Sequence, residues 1–204
     1  MGTTGSGANR RPLKSRSTRW AGAATRAVLA TGLSANQLSF LGILVAALGA
    51  WALVEAPTRP LLFLAAAAGV QLRLLANMVD GLVAVEGGRG GPTGAVWNEF
   101  PDRIEDSLLL VAAGYAGELP WLGWLCALLA AVCAYVRLLG GTLGQPQDFG
   151  GPMAKPHRMA ALTIGCLVAA FWLGGLQVAL GAIAAGTALT IALRLARLSK
   201  ALRA

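Results

Sequence analysis

Apolar stretches of about 20 residues dominate this chain from residue 36 onward, and short turns rich in glycine, proline and charged residues separate them. A helix of about 20 apolar residues is long enough to cross the hydrocarbon core of a bilayer. The pattern predicts an all-α integral membrane protein with six transmembrane helices, folded as one membrane domain over residues 34–204. The predicted spans are 36–55, 61–85, 98–116, 121–139, a fifth that begins after Met159 and a sixth over 176–193.

Residues that favour helix ends and turns mark the boundaries of these spans. Ser34 or Asn36 is the predicted N-cap of the first helix. Pro101 falls in the first turn of the third predicted helix, where its missing N–H is harmless. Residues 140–159 contain several glycines and prolines, so we predict a loop there that ends in a short basic sequence.

The first 31 residues follow a different pattern. Residues 1–15 are rich in glycine, serine and basic side chains, which predicts a disordered basic arm. Residues 16–31 place four apolar side chains on one helical face and most arginines elsewhere, so an amphipathic helix lying in the headgroup region is expected. The apolar side chains are Trp20, Ala24, Ala27 and Val28. A solvated basic arm is the alternative for this segment.

Composition and charge agree with a membrane protein. Hydrophobic residues make up 56% of the chain, charged residues only 13%, and the mean hydropathy is +0.63, which argues against a soluble domain. The formal net charge is +8, but the basic residues concentrate near the two ends rather than in a nucleic-acid-binding patch. By the positive-inside rule, both termini are predicted to face the cytoplasm, in a bacterial inner membrane. The three cysteines lie in apolar spans and are predicted core residues.

Six of the nine acidic residues fall between Arg73 and Asp106, in or beside segments apolar enough for a bilayer. Asn77 and Asp80 are three residues apart, and Asn98, Asp102 and Asp106 are each four apart, so each set occupies one helix face. A loop with five glycines, Gly87 to Gly94, joins the two segments. We therefore expect two antiparallel helices whose oxygen-bearing side chains point at each other.

So many charges at membrane depth need compensating partners, because each costs roughly 2.5 to 3.5 kcal/mol near the bilayer centre. Mg²⁺ or Mn²⁺ would suit a set of carboxylate and amide oxygens. The alternative is a buried ion-pair network that involves Arg73, Arg103 and Arg137. Glu86, Glu99 and Glu105 are predicted to lie at the rim of the site or behind the metal-binding residues, rather than to bind a metal themselves.

The acidic stretch resembles the signature of the CDP-alcohol phosphotransferases, D-x-x-D-G-x-x-A-R, eight or nine residues, then G-x-x-x-D-x-x-x-D. The spacing is kept throughout, but asparagine replaces the first and third aspartates and valine replaces the arginine. The positions that correspond are Asn77, Asp80, Gly81, Ala84, Val85, Gly94, Asn98 and Asp102. Asn36 to Ser39 is also similar to a sequence with which the first span of this family often begins.

The resemblance implies a site for two divalent ions, Mg²⁺ or Mn²⁺, held by Asn77, Asp80, Asn98 and Asp102. It also implies that Asp102 is the base, and Asp106, one turn beyond, is a candidate ligand or base that could compensate for the asparagines. Gly81, Ala84 and Gly94 correspond to small residues beside the nucleotide. Arg73 could either pair with a carboxylate or bind a substrate phosphate. Arg73, Arg89 or Arg103 could replace the arginine missing at Val85.

A basic set on the same side of the membrane is the predicted site for the acceptor, above all for a phosphorylated one. The alternative is that these residues only enforce membrane topology. The set consists of Arg103, Arg137, Lys155, His157 and Arg158.

The resemblance implies an enzyme of phospholipid biosynthesis that acts within membrane lipids. Such an enzyme would transfer a phosphatidyl group from a CDP-alcohol, CDP-diacylglycerol in the first instance, to an acceptor hydroxyl and release CMP. It implies a homodimer as well, and no nucleic-acid partner is expected. A catalytically inactive relative that binds nucleotide or lipid is one alternative. An ion- or proton-coupled transporter is another.

Overall fold

The computed structural model describes residue 26 and residues 30–86 and 94–203. Within this part of the chain all regular structure is helical, in six helices. They are α1 (Ala35–Glu55), α2 (Leu62–Glu86), α3 (Gly94–Ala116), α4 (Pro120–Thr142), α5 (Lys155–Ala169) and α6 (Gly174–Ala201). The predicted arm over 1–15 and nearly all of the predicted amphipathic helix over 16–31 lie outside the described residues.

The chain is an all-α membrane protein. Among the described helices, α1, α2, α4 and α6 are long and apolar enough to cross a bilayer. The other two do not meet that criterion: charged residues crowd the first half of α3, and α5 has only 15 residues. Large apolar side chains point outward on several helices, such as Leu48 and Trp124, and in the turn between α5 and α6, where Phe171 is 91% exposed. An apolar exterior is what a lipid environment requires.

Three of the predicted helix boundaries need correction. The third helix begins at Gly94 rather than at residue 98, so Pro101 lies inside it and not in its first turn. The fifth helix begins at Lys155, four residues before the predicted loop ends, because Pro156 occupies its first turn. Proline is favourable at that position, so it starts this helix instead of preventing one. The last helix extends to Ala201, eight residues beyond the predicted end.

The prediction for the start of α1 is confirmed for Ser34. Its Oγ accepts a hydrogen bond from the backbone N–H of Gln37 at 3.3 Å, and the Gln37 side chain accepts one from the Ser34 backbone N–H at 2.9 Å. This reciprocal capping box satisfies two donors at the helix terminus. It also fixes where α1 begins, and hence which α1 residues face α2 and α3.

The helices pack as an interlocked bundle in which α1 contacts both α2 and α3, and α4 contacts α3 and α6. Helix α5 packs on α2 and α6. The core between them is built from small and aliphatic residues, among them Leu53, Leu109, Leu110, Leu162, Leu180 and Ile183. All three cysteines are free and buried, as predicted. This packing brings the polar faces of α2 and α3 together beneath α1 and beside the start of α5.

A glycine pair brings the backbones of α3 and α4 into close contact. A Cβ added at Gly114 would lie 2.6 Å from the Cα of Gly123 and 2.8 Å from its backbone nitrogen. Backbone atoms cannot move aside as a flexible side chain can. We expect Gly114→Ala to lower the free energy of unfolding by about 1 to 3 kcal/mol, the usual cost of overpacking.

The matched control is Gly181→Ala in α6, where an added Cβ meets nothing within 4 Å. This variant should keep its stability within about 0.5 kcal/mol of the parent, as surface substitutions usually do. Unfolding in mixed micelles of increasing denaturing-detergent content would measure both. Equal stability of the two variants would contradict the close contact between α3 and α4.

Candidate active site

Polar side chains from α1, α2, α3 and the first turn of α5 meet in one place, which we call the polar cluster. Its members on α2 are spaced by three and four residues, as are those on α3, so each helix contributes one face. The polar cluster consists of Ser39, Arg73, Asn77, Asp80, Asp102, Glu105, Asp106, Lys155 and Arg158.

Arg73 forms the most deeply buried part of the polar cluster. Its Nε donates to Glu105 Oε2 at 2.6 Å and its Nη2 donates to Asp106 Oδ1. Arg158 approaches the other oxygen of Asp106, with 3.2 Å between Nη2 and Oδ2. Arg73 therefore takes the first of the two roles that the sequence left open, pairing with carboxylates. Both oxygens of Asp106 accept hydrogen bonds from guanidinium groups.

Asn77 and Asp102 face each other across α2 and α3, as the motif spacing predicted. Asn77 Nδ2 donates to Asp102 Oδ1 at 2.6 Å and to Glu105 Oε2 at 2.7 Å. Lys155 Nζ donates to the same Asp102 oxygen, and Arg103 Nη2 lies 3.5 Å from Asp102 Oδ2. Helices α2 and α3 thus share a polar contact, and Lys155 of α5 adds a further donor to it.

Asp80 is held from α1. Its Oδ2 accepts a hydrogen bond from Ser39 Oγ at 2.8 Å, while its Oδ1 is buried and has no hydrogen-bond partner among the described residues. Glu105 Oε1 is in the same condition. Buried carboxylate oxygens without a partner are costly, so each needs a proton, a water or a cation.

Two residues of the polar cluster were not among the predicted site residues. Glu105 was predicted to lie either at the rim or behind the metal-binding residues. The structure excludes the rim, because it buries Glu105 completely and bonds it to Arg73 and Asn77. Ser39 was noted only for the sequence that begins the first span. Ser39 and Gly42 are three residues apart and so share one face of α1. Nothing in the sequence showed which helix that face of α1 would contact.

The donor chemistry of the polar cluster fits a divalent cation that also binds substrate. No three His, Cys, Asp or Glu side chains in the described part of the chain are grouped closely enough to hold a metal ion by themselves. Mg²⁺ commonly binds one or two carboxylates and completes its shell with water and substrate phosphates. Asp80 and Asp102, with the Asn77 amide oxygen, supply donors of that kind. The side chain of Asn98 lies outside the described residues.

The predicted basic residues have different surroundings. Lys155 and Arg158 lie in the polar cluster, whereas His157 is exposed. Arg137 pairs with Glu99 at 2.5 Å and with Gln147, and its guanidinium lies 5.1 Å from the centre of the Phe149 ring. Arg103 reaches only the outer oxygen of Asp102. Three of these residues, Arg103, Lys155 and Arg158, therefore contact carboxylates of the polar cluster, while Arg137 pairs with Glu99.

A cavity of about 290 Å³ opens between the ends of α4 and α6 beside Arg137. Arg194 also lines it, and sequence reasoning assigned this residue only to topology. Its Nη1 donates to the carbonyl of Cys133 at 2.9 Å and its Nε to that of Gly150 at 3.0 Å. These bonds tie the loop after α4 to α6, so Arg194 shapes the basic side of the bundle.

Among the small residues expected beside a nucleotide, Gly81 is the one that the structure describes in full. It lies buried in α2, directly after Asp80. The side chain of Ala84 and the surroundings of Gly94 lie outside what the structure describes, although both residues are helical. The three small residues therefore lie on α2 and α3, the two helices that carry the motif.

Comparison with known proteins gives consistent matches, although no protein-family model matches the chain. The phosphatidylinositol phosphate synthase of Mycobacterium tuberculosis strain H37Rv is 28% identical over 186 residues, which cover 83% of this chain and 81% of that protein. The enzyme of the same name from Corynebacterium glutamicum is 30% identical over 158 residues, which cover 73% of this chain and 71% of the relative.

Solved structures of the Mycobacterium tuberculosis phosphatidylinositol phosphate synthase share the fold. The structure with CDP-DAG bound has a TM-score of 0.75 and 26% identity, covering 89% of this chain and 94% of that one. The structure in complex with manganese and citrate has a TM-score of 0.74 and 25% identity, covering 85% and 86%. These matches show that the chain belongs to the CDP-alcohol phosphotransferase family.

Proposed function

We propose that the protein transfers a phosphatidyl group from CDP-diacylglycerol to the hydroxyl of an acceptor alcohol and releases CMP, in phospholipid biosynthesis. The observation that carries this proposal is the contact of Asn77 and Asp102 across α2 and α3, beside an Asp80 oxygen that has no hydrogen-bond partner among the described residues. The relatives named phosphatidylinositol phosphate synthase and the fold shared with a CDP-DAG complex support the same reaction.

Asn77, Asp80, Asn98 and Asp102 would hold Mg²⁺ or Mn²⁺, most simply as a pair of ions. When bound, such ions offset the negative charge of the diphosphate and of the departing CMP. Ser39 keeps Asp80 oriented through its 2.8 Å hydrogen bond. Gly81, Ala84 and Gly94 would leave room for the nucleotide beside the two helices. The solved structure of the relative contains manganese, which supports a divalent ion as the cofactor.

Asp102 is the proposed base. It takes the proton of the acceptor hydroxyl, whose oxygen then attacks the phosphorus that carries the diacylglycerol. The bond from that phosphorus to the bridging oxygen breaks, and the electron pair leaves with CMP. Asp106, the other candidate, accepts hydrogen bonds from Arg73 and Arg158 at both oxygens and is 2% exposed. Those contacts favour a structural role for Asp106.

A phosphorylated acceptor is the proposed substrate class. Lys155 donates to Asp102 from the first turn of α5, so a phosphate bound by Lys155 would bring its own hydroxyl close to the base. Arg137, Arg103, Arg158 and His157 complete the proposed basic side of the acceptor site. The names of the relatives, which make a phosphatidylinositol phosphate, support this class.

We also propose that all six helices cross the membrane, with both ends and the site on the cytoplasmic side of a bacterial plasma membrane. Helices α3 and α5 each pack between candidate spans, α3 against α1 and α4, and α5 against α2 and α6. The basic residues at both ends of the chain support this orientation. A homodimer, as the family resemblance implies, is part of the same proposal.

The test is a CMP-release assay in detergent or proteoliposomes, with CDP-diacylglycerol, Mg²⁺ or Mn²⁺ and a panel of acceptors. The panel pairs inositol phosphate with inositol and glycerol phosphate with glycerol. We expect CMP only with a phosphorylated member, a lipid product of matching mass, and complete loss of CMP release with EDTA. Absence of CMP with every acceptor, in a sample that unfolds cooperatively, would contradict the proposal.

The second candidate is a relative that binds nucleotide without turnover. Two observations favour it. Asparagine stands at position 77 in place of an aspartate, and the Lys155 ammonium is already bound to Asp102. Calorimetry with CDP-diacylglycerol separates the two: heat of binding without CMP release would indicate the inactive protein, and release with binding would indicate the enzyme.

A further inference from the structure

Glu105 is a buried carboxylate that the family motif does not include. It lies on α3 between Asp102 and Asp106 and has 0% exposure. Its Oε2 accepts hydrogen bonds from Arg73 Nε at 2.6 Å and from Asn77 Nδ2 at 2.7 Å. Its Oε1 is buried without a hydrogen-bond partner among the described residues. Two hydrogen bonds thus hold Oε2, and they fix the direction in which Oε1 points.

Gly42 on α1 shows where the second oxygen points. A Cβ placed on Gly42 would lie 2.5 Å from Glu105 Oε1 and 3.2 Å from Asn77 Oδ1. Both oxygens therefore lie against the backbone of α1 at Gly42, where a Cβ would crowd Glu105 Oε1. An amide oxygen and a carboxylate oxygen side by side form a suitable donor pair for a hard divalent cation.

Formal charge supports the same assignment. The polar cluster holds four carboxylates and three cationic side chains: Asp80, Asp102, Glu105 and Asp106 against Arg73, Lys155 and Arg158. The excess is one negative charge, which would vanish without Glu105. Asparagine at position 77 removes the charge that the first aspartate of the motif would carry. Glu105, in direct contact with Asn77, lies where it can restore that charge.

We propose that Glu105 supplies, to the divalent-cation site, the negative charge that Asn77 cannot carry, with Oε1 as the contributing atom. Asn77 and Glu105 act together in place of the first aspartate of the motif. This inference rests on the proposed function, because it concerns the cation site of the same reaction.

The test is the affinity of the purified full-length protein for Mn²⁺ alone, measured by electron paramagnetic resonance of the free ion without substrate. We expect Glu105→Gln to weaken Mn²⁺ binding about tenfold or more, the lower end of what loss of a supporting group at a metal site costs. Adding Asn77→Asp to Glu105→Gln should return the affinity to within about threefold of the parent. The matched control is Glu99→Gln, also on α3 but paired with Arg137, which should leave Mn²⁺ affinity unchanged.

The outcomes separate this inference from the proposed function. If the parent binds Mn²⁺ and releases CMP but Glu105→Gln binds Mn²⁺ as the parent does, the role of Glu105 is overturned and the function stands. If the double variant folds but does not regain affinity, the charge exchange is overturned as well. If Glu105→Gln binds Mn²⁺ more weakly but the parent never releases CMP, the role of Glu105 at the cation site is supported and the proposed function is overturned. A parent that binds no Mn²⁺ would overturn both.

A second variant keeps the test decisive if Glu105→Gln does not fold. Glu105→Asp keeps a negative charge beside Arg73 but withdraws the free oxygen by one methylene. We expect it to fold and to bind Mn²⁺ several-fold more weakly than the parent. Unchanged Mn²⁺ affinity in folded Glu105→Asp would overturn the assignment of Oε1.

Discussion

Replacing Asp102 by asparagine is expected to lower the rate of CMP release by about a thousandfold, within the range for loss of a general base. The amide has nearly the same shape but cannot accept the proton of the acceptor hydroxyl. The substitution also removes the carboxylate that Lys155 and Asn77 contact. Because the loss affects the chemical step, kcat should fall much more than KM changes.

The control for this prediction is Glu118→Gln, an exposed acid in the turn between α3 and α4, at the opposite end of α3 from the polar cluster. It should release CMP at the parental rate, and both variants should elute and unfold as the parent does. Retention of more than a tenth of the rate by Asp102→Asn would mean that the base is another residue. Asp106 would then be the next candidate.

The second large effect concerns stability rather than turnover. Arg73→Met is expected to lower the free energy of unfolding by about 3 to 5 kcal/mol, the usual result of removing one partner from a buried ion pair. Methionine fills a similar volume, but Glu105 and Asp106 would lose hydrogen bonds from a fully buried guanidinium. Among the described residues, the two buried carboxylates would then keep hydrogen bonds from Arg158 and Asn77, and the loss of the others carries a high desolvation cost.

Arg197→Met provides the comparison for Arg73→Met. Arg197 pairs with Asp148 at 2.7 Å, but its side chain is 52% exposed, so water screens the pair. We expect this variant to lose no more than about 1 kcal/mol. Unfolding curves in denaturing detergent for both variants test the difference. Equal losses would show that burial of the Arg73 pair contributes nothing beyond a surface ion pair.

Much of the site could be predicted because helix periodicity and motif spacing are local properties. Apolar stretches located all six helices to within a few residues at most ends. The spacing of Asn77 with Asp80, and of Asp102 with Asp106, correctly placed each set on one face. The short glycine-rich sequence between these segments predicted that α2 and α3 are neighbours, and Asn77 and Asp102 are in contact.

Other parts of the site depended on contacts between residues far apart in the chain. Lys155 reaches Asp102 across 53 positions, and Ser39 reaches Asp80 across 41. The sequence assigned Lys155 to a loop because Pro156 follows it, whereas the structure uses that proline to start α5. The choice between loop and helix start depended on packing against α2 and α6, which no local pattern encodes.

By itself, the sequence determined that this is a helical membrane protein with a motif for nucleotide-diphosphate chemistry on one pair of helices. Composition, apolar length and motif spacing are sufficient for that, since each acts within a short stretch of chain. Only the tertiary structure decided that Glu105 is central rather than peripheral and that Arg73 and Arg158 engage Asp106. The reason is physical: burial and ion pairing depend on which helix covers a given face, and that follows from the packing of the whole bundle.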